Sequence, residues 1–180
     1  ATGSGGEAHF DSAGFDLQLD QVFRQPLHLD RLVTDLAWER PAQGGLSLRI
    51  GDTVLGNADL DATAQGTLVL RPGQAPLADI QAHLTRGNGN AVWRYLPRQV
   101  SDHAHAWLRR SLVAGTSPDT RLVLKGPLDR FPFDQGGGDF SVTIQAKDAR
   151  LHYADGWPEI QDIQGSVVFR GKGMHIDVSH

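Results

Sequence analysis

Two aspartates separated by one residue are the part of this sequence that most resembles a catalytic motif. The run Asp59-Leu60-Asp61-Ala62-Thr63 matches the DxDxT pattern of phosphatases, in which the first carboxylate attacks phosphorus and the second handles a proton. That chemistry requires a buried parallel strand leading into a loop. Here the two aspartates alternate with Leu60 and Ala62, as on the wet face of an antiparallel strand. The sequence therefore favours a structural role for both.

Other residues of catalytic type also lack the spacing that chemistry needs. His103 and His105 would point about 200° apart on a helix, so their rings could not share a metal ion. The glycines at 136–138 lack the Lys and Ser/Thr of a phosphate-binding loop and indicate a hairpin tip instead. No nucleophile elbow in a Ser/His/Asp order is visible. We predict no enzyme, no metal site and no cofactor.

One stretch, Val100 to Gly115, has the marks of a helix, which we predict over about 101–114. Ser101 can cap its start, arginines fall in its last turns, and Gly115 can supply a left-handed stop. Its apolar residues at helical spacing are Ala104, Trp107, Leu108 and Leu112. We expect the last three to be buried against a sheet, and Leu108→Ala to cost about 2–4 kcal/mol if they belong to a packed core.

The rest of the chain alternates between apolar and polar residues from Phe15 onward, which is typical of strands with one dry face and one wet face. Short turns rich in Gly and Pro separate the runs. An antiparallel meander is the economical topology, so we predict a mainly β fold of about nine or ten strands with the one helix packed on it. The glycine-rich residues 1–14 are interpreted as a linker or an expression scar, and residues 15–180 as one β-rich segment.

Composition excludes several classes of partner. The 180 residues carry a net charge of −4 with Lys and Arg scattered singly, which argues against nucleic-acid binding. The absence of cysteine rules out a disulfide framework and fits either cytoplasm or periplasm. No run of about 18 apolar residues is present, so we predict no membrane span in this segment, and no signal peptide is recognised at its start.

The order of short motifs resembles the YhdP family of AsmA-like bacterial envelope proteins. RYLP precedes a Trp-Leu pair on the predicted helix, and LKGPLDRFPF, GDFSVTIQAKDARLHY, GWPEI and IQGSVVFRGKGMHI follow it. The upstream stretch from LAWERP to TLVL is similar to that family as well. The resemblance runs from about Phe23 to the end of the chain. It implies an interior segment of a much longer protein that is anchored in the inner membrane and extends through the periplasm.

The same resemblance implies a curved, taco-like sheet with an apolar groove, implicated in phospholipid transport to the outer membrane, and no catalytic residues. The expected partners are phospholipid acyl chains and neighbouring segments of the full-length protein. From the residues alone two architectures stay open: a closed β-sandwich serving as a scaffold or interaction domain, and an open trough filled by lipid or by neighbouring segments. The candidate groove residues are Leu122, Leu124, Val142, Ile144, Leu151, Val167 and Phe169.

A segment of a continuous sheet should also leave at least one edge strand unpaired. The sequence places such an edge near Phe15–Leu19 or Met174–Val178. Because an unpaired edge presents free backbone donors and acceptors, we expect it to recruit strands from other molecules.

Overall fold

The computed structural model describes residues 4–18, 20, 23–98, 100–154 and 156–179. Within these residues the chain forms nine strands, one α-helix (α1, Asp102–Ser111) and two 3₁₀ helices, Gly89–Tyr95 and Leu128–Arg130. The strands are β1 (Ser4–Leu17), β2 (Leu27–Arg40), β3 (Leu46–Gly56), β4 (Leu60–Leu70), β5 (Leu77–Asn88), β6 (Leu112–Pro127), β7 (Asp139–Leu151), β8 (Ile160–Arg170) and β9 (Gly173–Val178).

All nine strands belong to one antiparallel sheet in which each strand pairs with its neighbours in sequence, in the order β1 to β9. The sheet is open and curved, which confirms the predicted mainly β meander. Its pairing register shifts in β2 and β3 between Val33 and Leu36 and between Ile50 and Thr53. Such irregularities bend the strands that carry them. The described residues contain no second sheet, so the β-sandwich is the wrong alternative.

The first strand begins where the sequence predicted a linker. Residues 4–14 pair with β2 along its whole second half, Ser4 with Arg40 and Ala13 with Arg31. Glycine is required at residue 6 by packing, because a Cβ there would lie 2.6 Å from the ring of Trp38. The glycines that suggested a linker are therefore part of a strand that passes close to an aromatic side chain. Leu19, which was assigned to the first strand, lies outside the described residues.

Cross-strand partners occupy the same face of a sheet, and the register places the apolar side chains of all nine strands together. Leu48 pairs with Leu68, and Leu122 pairs with Val142, which in turn pairs with Phe169. We call this surface the apolar face; it includes Ala8, Leu36, Trp38, Leu48, Ile50, Leu68, Ile80, Ala82, Leu122, Leu124, Val142, Ile144, Val167, Phe169, Met174 and Ile176.

The opposite surface, which we call the ion-paired face, carries charged side chains that pair across neighbouring strands. Its ion pairs are Glu7–Arg49, His9–Asp35, Asp79–Lys125 and His83–Asp119. Each of these side chains is at least 40% exposed, so water screens the pairs and their contribution to stability is small. The effect of these charged side chains is instead that this face is well hydrated. This face also carries scattered apolar side chains, such as the cross-strand partners Val69 and Leu77.

The helix is shorter and less buried than its sequence predicts. Ser101 caps it as expected, its Oγ accepting a hydrogen bond from the Ala104 backbone N–H at 3.2 Å. It ends at Ser111 rather than near 114, because Leu112 already pairs with Leu151 as the first residue of β6. Gly115 has a φ of +137°, but it lies inside β6 and does not stop the helix.

The helix also covers less of the sheet than predicted. Trp107, Leu108 and Leu112 are half-buried rather than fully buried, and Leu112 belongs to β6, so the predicted burial of the helix against the sheet is only partial. Helix α1 packs on the 3₁₀ helix Gly89–Tyr95 and on β6, at one end of the strands. Most of the apolar face therefore has no helix over it.

The surface area measures how open this arrangement is. The solvent-accessible surface is 11403 Å², whereas the scaling for compact monomers gives about 8,500 Å² at a mass of 19.5 kDa. About a third more surface is exposed than in a two-layered domain of this size. The buried apolar side chains are few and mostly small: Leu27, Leu29, Leu60, Ala62, Ala78, Ala91, Phe133 and Ala149. A conventional core is absent from the middle of the sheet in the described residues.

Strands β1 and β9 are the two edges of the sheet, as the sequence predicted for these stretches. In β9 the apolar side chains are half or more exposed: Met174 at 59%, Ile176 at 50% and Val178 at 60%. Such an edge offers both backbone groups and apolar side chains to another strand.

We therefore expect the chain to self-associate at high concentration, and Ile176→Lys to lower that association because a buried lysine opposes strand pairing. Sedimentation velocity over a concentration series would measure it. Gln164→Lys, an exposed position of the neighbouring β8, is the control for charge. If the chain stays monomeric at all concentrations, or if both variants behave alike, the β9 edge is not a pairing surface.

Candidate functional site

The apolar face is the candidate functional site, and the register shows how the predicted groove residues are arranged on it. Leu122 pairs with Val142, and Val142 with Phe169. Ile144 pairs with Val167 one step further along the same two strands. Leu124 is two residues from Leu122 on β6 and so shares its face. These six side chains form one block, and each is half-buried.

Leu151 is the seventh predicted residue and lies apart from this block. Two register shifts, at Ala146/Ala149 and Ala149/Leu151, separate it from Ile144 along β7. It pairs with Leu112 and Ile160 at the end of the strand. Simple alternation from Ile144 therefore does not determine where it points. Whether any of the seven contacts lipid stays a prediction.

One end of the strands carries a cap. The connections at this end are residues 18–26, 57–59, 89–111 and 152–159, and we call it the capped rim. Phe23, from the first connection, forms a backbone bridge with Pro97, from the third. Arg24 donates to Asp102 Oδ1 and to the Val100 carbonyl, both at 2.7 Å. Two connections that are separated by four strands, β2 to β5, are thus tied together along the rim.

The turn between β3 and β4 is tied into the same cap through Tyr95. The Tyr95 hydroxyl accepts from Asn57 Nδ2 at 2.9 Å and donates to Asp59 Oδ2 at 3.1 Å. Arg94 forms an ion pair with the same Asp59 oxygen at 2.8 Å. Burial raises the pKa of Tyr95, so the phenol stays protonated and available as a donor near neutral pH. On the far side, Trp107 donates to the Tyr153 carbonyl at 3.4 Å.

The cap accounts for where the buried side chains lie. Leu27 and Leu29 begin β2, and Leu60 and Ala62 begin β4, all at the capped rim. Ala91 lies within the 3₁₀ helix of the cap itself. The other end of the strands, which we call the turn rim, consists of residues 41–45, 71–76, 128–138 and 171–172. There Leu70, which pairs with Leu46 on the apolar face, is 37% exposed, so the apolar face is covered at one rim and open at the other where β3 begins and β4 ends.

The aspartates of the DxDxT sequence have structural partners. Asp59 lies in the turn before β4 and bonds Tyr95 and Arg94 of the cap. Asp61, on antiparallel β4, pairs with Arg86 at 2.6 Å, and this hydrogen bond holds the pKa of Asp61 below its ordinary value. These residues therefore do not form the phosphatase arrangement, in which a loop follows a buried parallel strand.

The two histidines of α1 are likewise separated. The ring of His105 packs edge-on against Trp93 with centroids 5.9 Å apart, while His103 is exposed. Within the described residues no group of three or more His, Asp or Glu side chains is arranged to hold a metal ion. Gly136 and Gly137 have φ of +80° and +85° and lie in the connection between β6 and β7.

The cap residues are what sequence reasoning missed. Arg24 and Asp102 are 78 positions apart, and Asn57 and Tyr95 are 38 apart, so no local pattern connects them. The available signal was the RYLP motif, whose Arg94 and Tyr95 hold Asp59 and whose Pro97 bridges to Phe23.

The fold and the site define a class of protein: a single open sheet whose apolar face is capped along one rim and left uncovered elsewhere. The model of the YhdP protein family matches residues 1–180, and the chain belongs to that family. A relative from Escherichia coli (strain K12), described as an intermembrane phospholipid transporter, is 24% identical over 162 residues. These residues are 86% of this chain and 12% of the relative, so the chain spans about an eighth of that protein's length.

None of the solved structures matches this chain significantly. In the described residues, no helix combines the length and the apolarity needed to cross a bilayer.

Proposed function

We propose that this chain is a periplasmic segment of a longer, inner-membrane-anchored protein that carries phospholipids toward the outer membrane. The apolar face provides part of a groove in which acyl chains lie. Neighbouring segments of the same protein continue the sheet beyond β1 and β9. The role is non-enzymatic, since the aspartates and histidines of catalytic type are engaged in the cap, exposed, or paired with arginine. The relative described as a phospholipid transporter supports this assignment.

The observation that carries the proposal is the uncovered apolar face. It runs through all nine strands without interruption, and its large side chains are half-buried or exposed, whereas the opposite face carries cross-strand ion pairs. Leaving such a surface in water is unfavourable by roughly 25 cal/mol for each Å² of apolar area, so something apolar should cover it. An acyl chain needs only continuous apolar surface and no polar motif, which matches the residues present.

The test is whether the purified chain carries lipid. We expect native mass spectrometry to show adducts with phospholipid masses, and solvent extraction of the same sample to release phospholipid. A delipidated sample should rebind phospholipid from detergent. A folded chain with neither co-purified nor rebound lipid would contradict the groove and leave a structural scaffold as the function.

A further inference from the structure

Arginines without acidic partners gather at the turn rim. Arg40 ends β2, Arg71 follows β4, Arg130 lies in the second 3₁₀ helix and Arg170 ends β8. None of the four forms an ion pair or a side-chain hydrogen bond with another described residue. At the capped rim three guanidinium groups are engaged by carboxylates, through the pairs Arg24–Asp102, Arg86–Asp61 and Arg94–Asp59, whereas Arg109 and Arg110 of α1 have no acidic partner among the described residues. Positive charge is therefore available at the rim where the apolar face is open.

Arg71 lines a cleft that also contains residues of the apolar face. An open cleft between the turn that follows β2 and the turn that follows β4 contains Arg71, and its other lining residues are Pro41, Gln43, Gly44, Leu46, Ser47, Val69, Leu70, Pro72 and Gln74. Leu46 and Leu70 are cross-strand partners and belong to the apolar face. Arg40 is the last residue of β2 and, being two residues from Trp38, shares the apolar face; the next residue, Pro41, lines the cleft. The cleft thus places Arg71 at the end of a continuous apolar surface, next to the strand end that carries Arg40.

A phospholipid has the matching chemistry, with a phosphate at one end of its acyl chains. Guanidinium binds phosphate through paired, charge-assisted hydrogen bonds. The 11 residues of β4 extend roughly 36 Å at about 3.3 Å per residue, more than the thickness of one leaflet, about half of the ~30 Å bilayer core. A lipid held by its phosphate at the turn rim would therefore fit its chains on the sheet before they reach the cap.

We propose that Arg71, with Arg40, binds the headgroup phosphate of a phospholipid whose acyl chains lie on the apolar face. This inference rests on the proposed function and adds an orientation to it: the headgroup lies at the turn rim, and the acyl chains point toward the capped rim. Lipids would lie across the groove, along the strands, while the groove itself runs from β1 to β9.

The experiment compares two lipids that share acyl chains and differ in the headgroup. Binding of dioleoylphosphatidylglycerol and of dioleoylglycerol to the full chain is measured by fluorescence competition. The test variant is Arg40→Gln/Arg71→Gln. Its matched control is Arg31→Gln/Arg110→Gln, which removes two other exposed, unpaired arginines and changes the net charge equally. We expect the test variant to lose about tenfold or more in affinity for the phospholipid, and to bind dioleoylglycerol as the wild type does.

Each other outcome overturns the inference in a distinguishable way. An equal loss in the control variant would assign the effect to net charge. Unchanged phospholipid affinity in the test variant would exclude Arg40 and Arg71 as the phosphate site while leaving the groove intact. Competition by glycerol 3-phosphate alone would indicate a site for free anions rather than for lipid. Wild-type protein that binds neither lipid would refute the proposed function and the inference with it.

Discussion

Ile144→Asp is expected to abolish lipid binding without unfolding the chain. Ile144 lies midway along β7 on the apolar face, paired with Val167, and is half-buried. Its replacement by aspartate leaves the carboxylate in contact with water when the groove is empty, so folding tolerates it. An acyl chain on the same surface would strip that water away, at a cost of several kcal/mol. Because 1.4 kcal/mol is a factor of ten, co-purifying phospholipid should fall at least about tenfold.

Gln145→Asp is the matched control for this variant. Gln145 is the next residue of β7 and is exposed on the opposite face. It receives the same charge in the same strand, and we expect it to keep its lipid. Circular dichroism and thermal melts establish that both variants are folded. A globally unfolded Ile144→Asp chain would mean that the apolar face is a closed core, and a folded one with normal lipid content would remove Ile144 from the groove.

Leu29→Ala is expected to be the most destabilising alanine substitution outside the groove. Leu29 is 3% exposed and lies at the capped rim, so truncation leaves a cavity as well as losing apolar burial. Substitutions of this kind cost about 3 kcal/mol. Leu108 on α1 is half-buried, and Leu108→Ala should cost only about 1 kcal/mol because little cavity is formed. Urea denaturation of the two variants measures both free energies of unfolding.

The comparison of these two leucines tests where the core of the molecule lies. If Leu108→Ala costs as much as Leu29→Ala, the helix is part of a packed core, as its apolar stripe had suggested. If Leu29→Ala is nearly neutral, the cap does not shield the start of β2. Arg31→Ala, an exposed position on the same strand, serves as the reference for substitutions without burial.

The strands were predictable from sequence because a pleated strand turns alternate side chains to opposite faces. The regular run from Phe140 to Ala146 corresponds to the regular part of β7. The start of the helix was predictable for a similar reason, since Ser101 acts on residues within one turn of itself. Its end was not, because Leu112 is drawn into the sheet by Leu151, a partner 39 positions away in sequence.

The choice between a sandwich and an open sheet lay beyond the sequence for a different reason. An apolar face has the same alternating pattern whether protein, lipid or another segment covers it. The block around Val142 could therefore be placed on one face without knowing what lies opposite. Interactions between turns, such as that of Arg24 with Asp102, depend on how far the sheet curves. The curvature in turn depends on irregularities in strand pairing, which residue types alone do not reveal.

The strict order of the strands has a consequence for how such a molecule can change in size. Because every strand pairs only with the strands before and after it, the sheet has the nearest-neighbour energetics of a repeat array. Inserting or deleting one hairpin would alter two strand–strand interfaces and lengthen or shorten the sheet by about 10 Å, at 4.8 Å per strand. Duplication or loss of hairpins can therefore change the length of the groove in steps without changing the chemistry of its surface.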